Sequence, residues 1–276
     1  MTILLQCTDR VGLVADIAKI MADAGLNILS MREFVNVKDD RFFIRLEIDT
    51  LTLSEAITNR VLQNLPDDTE ILINPKPQKK IAVFVTKEYH CLGDILLRNY
   101  FNTLHASVEV VVGNHEKLRG ITEKFGLPFH HVSHEGKTKE AFEDELLNIV
   151  NEYELDYIVL AKFMRILSPE FVARFNMRII NIHHSFLPAF IGANPYRQAY
   201  ERGVKLIGAT AHFVTNDLDD GPIISQQIIP VNHAHTVGDM VRLGKEIEKS
   251  VLAKALQLVF EDRVMVYNNK TVVFEN

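Results

Sequence analysis

The sequence of 276 residues contains only two cysteines, Cys7 and Cys91. Two lone thiols in a chain of this size exclude a disulfide-stapled secreted scaffold and favour a reducing compartment. The longest uncharged stretch, residues 179–196, contains several polar residues and two prolines, whereas a spanning helix needs about 20 predominantly apolar residues. Asp9 and Arg10 follow the short N-terminal apolar stretch too closely for a signal peptide. We therefore expect a cytoplasmic protein that does not enter the membrane.

The chain also lacks blocks of basic residues. Its 30 basic and 36 acidic residues give a formal net charge of −6. Such a surface offers no electrostatic footprint for nucleic acid or for an anionic membrane, so we expect neither as a partner. The apolar fraction of 47% and the charged fraction of 24% are ordinary for a globular protein and exclude a disordered chain. The length favours two domains.

The first 75 residues follow the order βαββαβ, which is the ferredoxin-like arrangement. The clearest strand is the third, where Phe42, Ile44, Leu46 and Ile48 alternate with Phe43, Arg45 and Glu47. Asp9 and Arg10 are expected to open the first helix, and Thr52 with Glu55 forms a capping-box pattern before the second. The four predicted strands cover residues 2–6, 27–37, 41–48 and 69–74.

Pro75 and Pro77, followed by lysines, indicate an extended and solvated connection. We predict a first domain over residues 1–75, a linker over 76–80 and a second domain over 81–276. In the second domain, short apolar strands alternate with helices, which is typical of a mostly parallel, Rossmann-like sheet covered on both faces.

One polar cluster, Asn181 to Ser185, follows a predicted strand of that sheet. Ligands bind at the carboxyl ends of parallel strands. Asn181 and His183 are two residues apart, so their side chains point to the same side of the strand. An amide donor beside a histidine could hold a developing oxyanion. The alternative is that these groups only cap a loop.

A second cluster runs from His212 through Asp217, Asp219 and Asp220 to Gly221. A carboxylate next to a histidine sets its tautomer and stabilises its protonated form, which suits acid–base catalysis near neutral pH. The alternative is an ordinary solvated turn, because acidic residues before Gly-Pro are common in turns. Residue spacing alone leaves the choice among the three aspartates open.

Several other side chains are candidates for a binding cleft. Histidines and carboxylates could ligate a metal, but their spacing is not that of a compact zinc motif, and we expect no metal. His90, Cys91, His130 and His131 are further cleft candidates, with Cys91 expected to be a passive thiol. No glycine-rich phosphate loop is present, since residues 87–93 contain a single glycine.

Together, these clusters resemble the formyltetrahydrofolate-dependent formyltransferase family. The similar segments, in order, are Phe163-Met-Arg-Ile-Leu-Ser-Pro169, Asn181-Ile-His183 with Ser185-Phe-Leu-Pro188, His212-Phe-Val-Thr215 and Leu218-Asp219-Asp220-Gly221-Pro-Ile223. The resemblance implies a catalytic set of Asn181, His183 and Asp219. It also implies that His212 supports these residues without contacting the substrate. It also implies folate-binding positions at Met164, Arg165, Ile166, Leu167, Asn216, Asp217, Leu218, Asp220 and Gly221.

Residues 181–196, His90 to Asp94 and Phe129 to Val132 are most similar to the deformylase branch of this family. The N-terminal 75 residues resemble an ACT domain, an amino-acid-binding module. This resemblance implies a homo-oligomer, dimer or tetramer, regulated by glycine or methionine. The effector-binding positions that it implies are Asp9, Arg10, Val11, Gly12, Leu13 and Asn27.

The resemblance implies hydrolysis of 10-formyltetrahydrofolate to formate and tetrahydrofolate, which supplies formate for purine biosynthesis and balances one-carbon folate pools. Folate is then the substrate, and no cofactor is expected. One alternative is transfer of the formyl group to an amine such as glycinamide ribonucleotide. Another is an amino-acid sensor with an inactive folate domain, against which the intact Asn181, His183 and Asp219 speak.

Overall fold

The computed structural model describes residues 1–74, 78–189 and 195–275, which form two units. The first unit comprises Met1–Pro77 with Asp262–Met265 and Val272–Asn276, and the second comprises Gln78–Glu261 with Val266–Thr271. Of the predicted linker over 76–80, residues 76 and 77 lie outside the described residues, and Lys79 and Lys80 already belong to a strand. Residues 190–194, which belong to the segment most similar to deformylases, also lie outside the described residues.

The first unit confirms the βαββαβ order. Its elements are β1 (Thr2–Thr8), α1 (Leu13–Asp23), β2 (Ile28–Asn36), β3 (Arg41–Ile48), α2 (Glu55–Asn64) and β4 (Glu70–Asn74). They form an antiparallel sheet in the order β2-β3-β1-β4. The alternating apolar residues of β3 pack in the core with Leu13, Ile17 and Met21 of α1. The other face of β3 is also covered, since Arg45 is buried and donates to the Asp262 carbonyl over 2.8 Å.

Two predicted helix starts were wrong by a few residues. Helix α1 begins at Leu13 rather than near Asp9, because Gly12 occupies the left-handed region with φ of 95° and ends the preceding turn. Helix α2 is capped by Ser54, whose hydroxyl accepts from the Ile57 amide, rather than by Thr52. Ser54 is the residue directly before the first helical turn, so its side chain reaches the free amides.

The second unit is built around a seven-stranded sheet in the order β11-β10-β9-β8-β5-β6-β7. Its strands are β5 (Lys79–Val85), β6 (Ala106–Gly113), β7 (Phe129–His131), β8 (Tyr157–Ala161), β9 (Ile179–His183), β10 (Leu206–Phe213) and β11 (Ile223–Pro230). Pairing is parallel from β7 to β9, whereas β10 runs antiparallel to both β9 and β11. The mostly parallel sheet that the sequence predicts is thereby confirmed.

The helices of this unit are α3 (His90–Tyr100), α4 (Arg119–Lys124), α5 (Lys139–Val150), α6 (Pro169–Arg174), α7 (Pro195–Arg202) and α8 (Val237–Phe260). Phe84, Phe163 and Phe171 pack together in the core on one side of the sheet. Helix α8 starts with a capping box between Thr236 and Asp239. A hairpin of Val264–Tyr267 and Lys270–Val273 closes the chain.

This topology brings two chain segments together. The parallel neighbours β8 and β9 end at Ala161 and His183, and each continues directly into polar residues. Because parallel strands present their carboxyl ends at the same edge, segments 162–167 and 183–185 share that edge. Among the described residues, no helix is long and apolar enough to cross a membrane.

Candidate active site

Asn181 on β9 lies directly opposite His212 on β10. His212 is buried, and its Nδ1 lies 2.8 Å from the Phe213 carbonyl oxygen. A carbonyl only accepts, so Nδ1 carries the proton and Nε2 of the neutral ring accepts from Asn181 Nδ2 over 3.2 Å. Burial lowers the pKa of His212 and keeps the ring neutral. His212 thus fixes the orientation of the Asn181 amide, whose second N–H has no partner among residues 1–74, 78–189 and 195–275 and can donate to a ligand.

His183, two residues further along β9, pairs with Asp219. Its Nδ1 lies 3.2 Å from Asp219 Oδ1. The hydrogen bond from His183 lowers the pKa of Asp219, although burial opposes this, so the carboxylate stays ionised at neutral pH. His183 Nε2 is buried and has no hydrogen-bond partner within the described parts of the chain. This nitrogen is therefore available to contact a ligand in the site.

The loop after β10 selects Asp219 among the three aspartates. Asp219 lies in the left-handed region with φ of 56°, while Asp217 and Asp220 are exposed. The following turn needs Gly221, because a Cβ there would lie 1.8 Å from the Phe213 carbonyl oxygen. The Phe213 amide donates to the Pro222 carbonyl over 2.9 Å and closes the loop. Only Asp219 reaches His183, and it also lies 3.8 Å from His212 Nε2.

A cavity of about 310 Å³ opens at these residues. Asn181, His183, His212 and Asp219 line it together with two segments, residues 164–167 and 216–218. Of the predicted folate-binding positions, Met164, Arg165, Ile166, Leu167, Asn216, Asp217 and Leu218 line this cavity, whereas Asp220 and Gly221 do not.

Three large apolar side chains on the two segments are exposed, Met164 by 58%, Ile166 by 64% and Leu218 by 58%. Exposed apolar side chains at a cavity provide contact area for a flat aromatic ligand.

Buried polar contacts hold segment 162–167 in place. Asn114 Nδ2 donates to the Phe163 carbonyl over 3.3 Å. At the far end, the Glu143 carboxylate accepts from the Ser168 amide over 2.7 Å and from its hydroxyl. Both Lys162 and Met164 adopt left-handed backbone conformations, with φ of 63° and 58°. Such residues persist where the surrounding structure fixes them, and they cluster at functional sites.

The other predicted cleft residues lie elsewhere. His130 and His131 are on β7, where His130 Nε2 lies 3.4 Å from the Tyr153 hydroxyl and His131 Nδ1 lies 3.0 Å from Glu116. Neither lines the cavity. Cys91 is buried, and burial raises the pKa of its thiol, so the thiol stays protonated and is a poor nucleophile.

Two protein-family models match the chain, one in its N-terminal part and one over most of the remainder. A formyl transferase family model matches residues 79–256, and an ACT domain model matches residues 1–59. A formyltetrahydrofolate deformylase from Haemophilus influenzae is 49% identical over 271 residues, which cover 98% of each chain. The chain belongs to the formyltetrahydrofolate deformylase family.

Solved structures place the chain in the same family. A formyltetrahydrofolate deformylase from Pseudomonas syringae superposes with a TM-score of 0.94 at 38% identity, covering 99% of this chain and 94% of that one. A glycinamide ribonucleotide transformylase from Symbiobacterium toebii superposes with a TM-score of 0.67 at 31% identity. It covers 72% of this chain and 95% of its own. Deformylases thus match over both units, whereas this transformylase matches over part of the chain.

A second cavity of about 540 Å³ adjoins the first. Three residues, Lys162, Met164 and His184, line both cavities and therefore stand between them. The predicted cleft residue His90 lines this second cavity, and so does the buried Glu248 of α8. Burial is the main reason that the pKa of His184 falls to about 4, so His184 is neutral.

Glu248 is the centre of a buried hydrogen-bond network. Its Oε2 lies 2.8 Å from His90 Nε2 and 3.3 Å from Lys162 Nζ, and its Oε1 accepts from the Tyr196 hydroxyl over 2.7 Å. Burial acts to raise the pKa of Glu248, but the contacts with His90 and Lys162 outweigh it and lower the pKa to about 2. Lys162, Tyr196 and Glu248 were not among the residues that the sequence predicted for the site.

Ligand atoms of His90, Cys91 and Glu248 lie within 4.8 Å of one another, the spacing of a metal site. However, Lys162 and His90 already contact Glu248 Oε2, and Tyr196 contacts Oε1. The Cys91 thiol is also protonated. A cation here would have to displace the Lys162 ammonium, so we assign the cluster as a hydrogen-bond network.

Proposed function

We propose that this chain hydrolyses 10-formyltetrahydrofolate to formate and tetrahydrofolate. The observation that carries the proposal is the triad of Asn181, His183 and Asp219 in one cavity, within a chain 49% identical to a named formyltetrahydrofolate deformylase. The exposed apolar side chains of Met164, Ile166 and Leu218 would contact the folate rings.

The proposal gives each catalytic group a role that its geometry supports. Water attacks the formyl carbon, and Asp219, whose carboxylate is ionised, takes its proton. The free N–H of Asn181 and the Nε2–H of protonated His183 donate to the oxyanion of the tetrahedral intermediate. The bond from carbon to the folate nitrogen then breaks, and this nitrogen receives a proton through His183. The products are tetrahydrofolate and formic acid, which releases its remaining proton to the solvent to give formate, and the residues return to their starting protonation states.

Residues 87–93 favour water over a nucleotide acceptor. Phosphates are usually held by backbone amides of a glycine-rich loop or by a basic cluster. Here His90 is buried against Glu248, and Glu88 pairs with Lys245 over 2.7 Å. The Tyr89 side chain is 64% exposed and does not line the second cavity, so Tyr89 does not occupy this space. His90 fills that space instead.

The test of the activity is to incubate the protein with 10-formyltetrahydrofolate, with and without glycinamide ribonucleotide, and to identify the formylated products. We expect formate to be released at the same rate in both reactions, because residues 87–93 offer no glycine-rich loop for the ribonucleotide phosphate. Formylated ribonucleotide as the main product would identify a transferase. No turnover in either reaction would favour an amino-acid sensor.

The ACT unit carries the proposed regulation. Gly12 offers no side-chain cap to α1, so the first amides of this helix are open to the carboxylate of an amino acid. Arg10 is already engaged by Asp16 over 2.7 Å. Exposed apolar side chains on the outer strands β2 and β4, such as Phe34 and Leu72, suit pairing with a second copy. A homo-oligomer, a dimer or a tetramer, would form in this way.

We expect glycine or methionine to change formate release and to raise the melting temperature by binding only the folded state. The measurement is turnover and thermal unfolding with each amino acid, with alanine as a comparison, and light scattering for the oligomer. If no amino acid altered either quantity, the regulatory proposal would fail, although the unit could still serve assembly.

The two thiols, both unpaired and buried, suit a reducing compartment, and we place the enzyme in the cytoplasm. The formate that it releases would supply purine biosynthesis.

A further inference from the structure

Lys162 combines two unfavourable features at one position. Its backbone lies in the left-handed region with φ of 63°, where glycine is the usual residue. Its ammonium is also largely removed from water, since the side chain is only 9% exposed. Neither feature follows from the needs of strand β8, which ends at Ala161. A role of the lysine side chain must therefore explain why lysine, and not glycine, occupies position 162.

The Lys162 ammonium pairs with the buried carboxylate of Glu248. Glu248 is 1% exposed and lies 3.3 Å from Lys162 Nζ. A buried ion pair costs desolvation unless further hydrogen bonds satisfy it, and His90 and Tyr196 provide these to Glu248. Tyr196 in turn packs on Gly244 of α8, where a Cβ would lie 2.1 Å from the tyrosine ring. Three helices thus fix the Lys162 side chain in one position.

That position lies between the two cavities. Lys162 lines the cavity of Asn181 and His183 as well as the larger second cavity. Met164 and His184, which also line both cavities, complete the division, and the His184 ring lies 6.2 Å from that of Tyr196. Without the four-carbon stem of Lys162, the second cavity would open toward the catalytic groups.

We propose that Lys162, held by Glu248, is a specificity-determining residue that keeps amines in the second cavity from reaching the formyl group. This inference rests on the proposed hydrolysis. If an amine reached the site, its nitrogen would attack the formyl carbon in place of water. The bond from carbon to the folate nitrogen would break, the amine would lose a proton, and the folate nitrogen would gain one. The products would be a formamide and tetrahydrofolate, so only the accessible nucleophile distinguishes the two outcomes.

The experiment supplies 10-formyltetrahydrofolate together with glycinamide, a small primary amine, and measures formate and N-formylglycinamide by mass spectrometry. The variant Lys162→Gly removes the stem and relieves the left-handed backbone. Lys162→Ala removes the stem but keeps a side chain, and it serves if the glycine variant does not fold. Lys162→Met is the matched control, because it keeps the bulk and removes only the charge.

We expect the ratio of N-formylglycinamide to formate to rise by about tenfold or more in Lys162→Gly, and by less in Lys162→Ala. That factor is the lower end of what a few excluded atoms achieve in a pocket. The ratio in Lys162→Met should stay near that of the wild type, whatever happens to its rate. An unchanged ratio in the glycine and alanine variants would overturn the inference, as would equal rises in all three. A wild-type enzyme that releases no formate would overturn the proposed function and this inference with it.

Discussion

Replacing Asp219 by asparagine is expected to lower turnover by about 100-fold or more, the lower end of general acid–base contributions. Asparagine keeps the shape of the side chain, and its oxygen can still accept from His183 Nδ1 over the 3.2 Å contact. It cannot take a proton from water or stabilise the imidazolium that serves the oxyanion. The loss should therefore fall on the chemical step, while folate binding to the apolar side chains of the cavity survives.

The measurement is kcat and KM for formate release, with folate binding followed separately by titration. Asp220→Asn is the comparison within the same loop, since Asp220 is exposed and does not line the cavity. We expect this variant to lose far less than Asp219→Asn. Near-normal turnover of Asp219→Asn would transfer the role to another carboxylate, of which Asp217 is the remaining one that lines the cavity.

Much of the fold could be predicted because the strands carry a clear period. On β3, the residues expected on one face are those that pack in the core with α1. The starts of α1 and α2 were less well predicted, because several polar residues precede each of these two helices and the local backbone decides which of them caps it. Gly12 with its positive φ and Ser54 with its hydroxyl were the deciding residues.

The site could be predicted in part from strand geometry alone. The two-residue spacing of Asn181 and His183 places both side chains on one side of β9, and both line the same cavity. The pairing of Asn181 with His212 could not be read from the sequence, because it depends on the antiparallel register of β10 against β9. Nor could spacing choose Asp219, since the choice depends on the left-handed backbone at that residue.

The network around Glu248 was missed because its members come from four separate segments of the chain. One signal was present in the sequence. Glu248 lies on α8 at helical spacing from Gly244, Val251 and Leu252, which form the buried face of the helix. A carboxylate in the middle of an apolar helical face needs a buried partner, and buried charges are rarely tolerated without one. Helical periodicity can thus indicate that a partner exists, but the fold is needed to identify Lys162.

Asn181→Ala tests the proposed oxyanion site most directly, and we expect kcat to fall by about 100- to 1,000-fold, as when one oxyanion-hole donor is removed. The physical reason is the pairing with His212. The neutral ring accepts one Asn181 N–H over 3.2 Å, which leaves the other N–H aimed and ready before the charge develops. A donor that is already oriented needs no reorganisation in the transition state, so its removal acts on that state more than on bound substrate.

Asn181→Asp separates this role from simple packing, because aspartate keeps the size of the side chain and, when ionised, has no hydrogen to donate. We expect it to lose at least as much turnover as Asn181→Ala, since a negative charge would face the developing oxyanion. In both variants KM should change much less than kcat, which is the signature of an interaction made mainly in the transition state. Recovery of activity in Asn181→Asp relative to Asn181→Ala would show that the residue fills space. The oxyanion would then depend on the other proposed donor, His183 Nε2, which has no hydrogen-bond partner among the described residues.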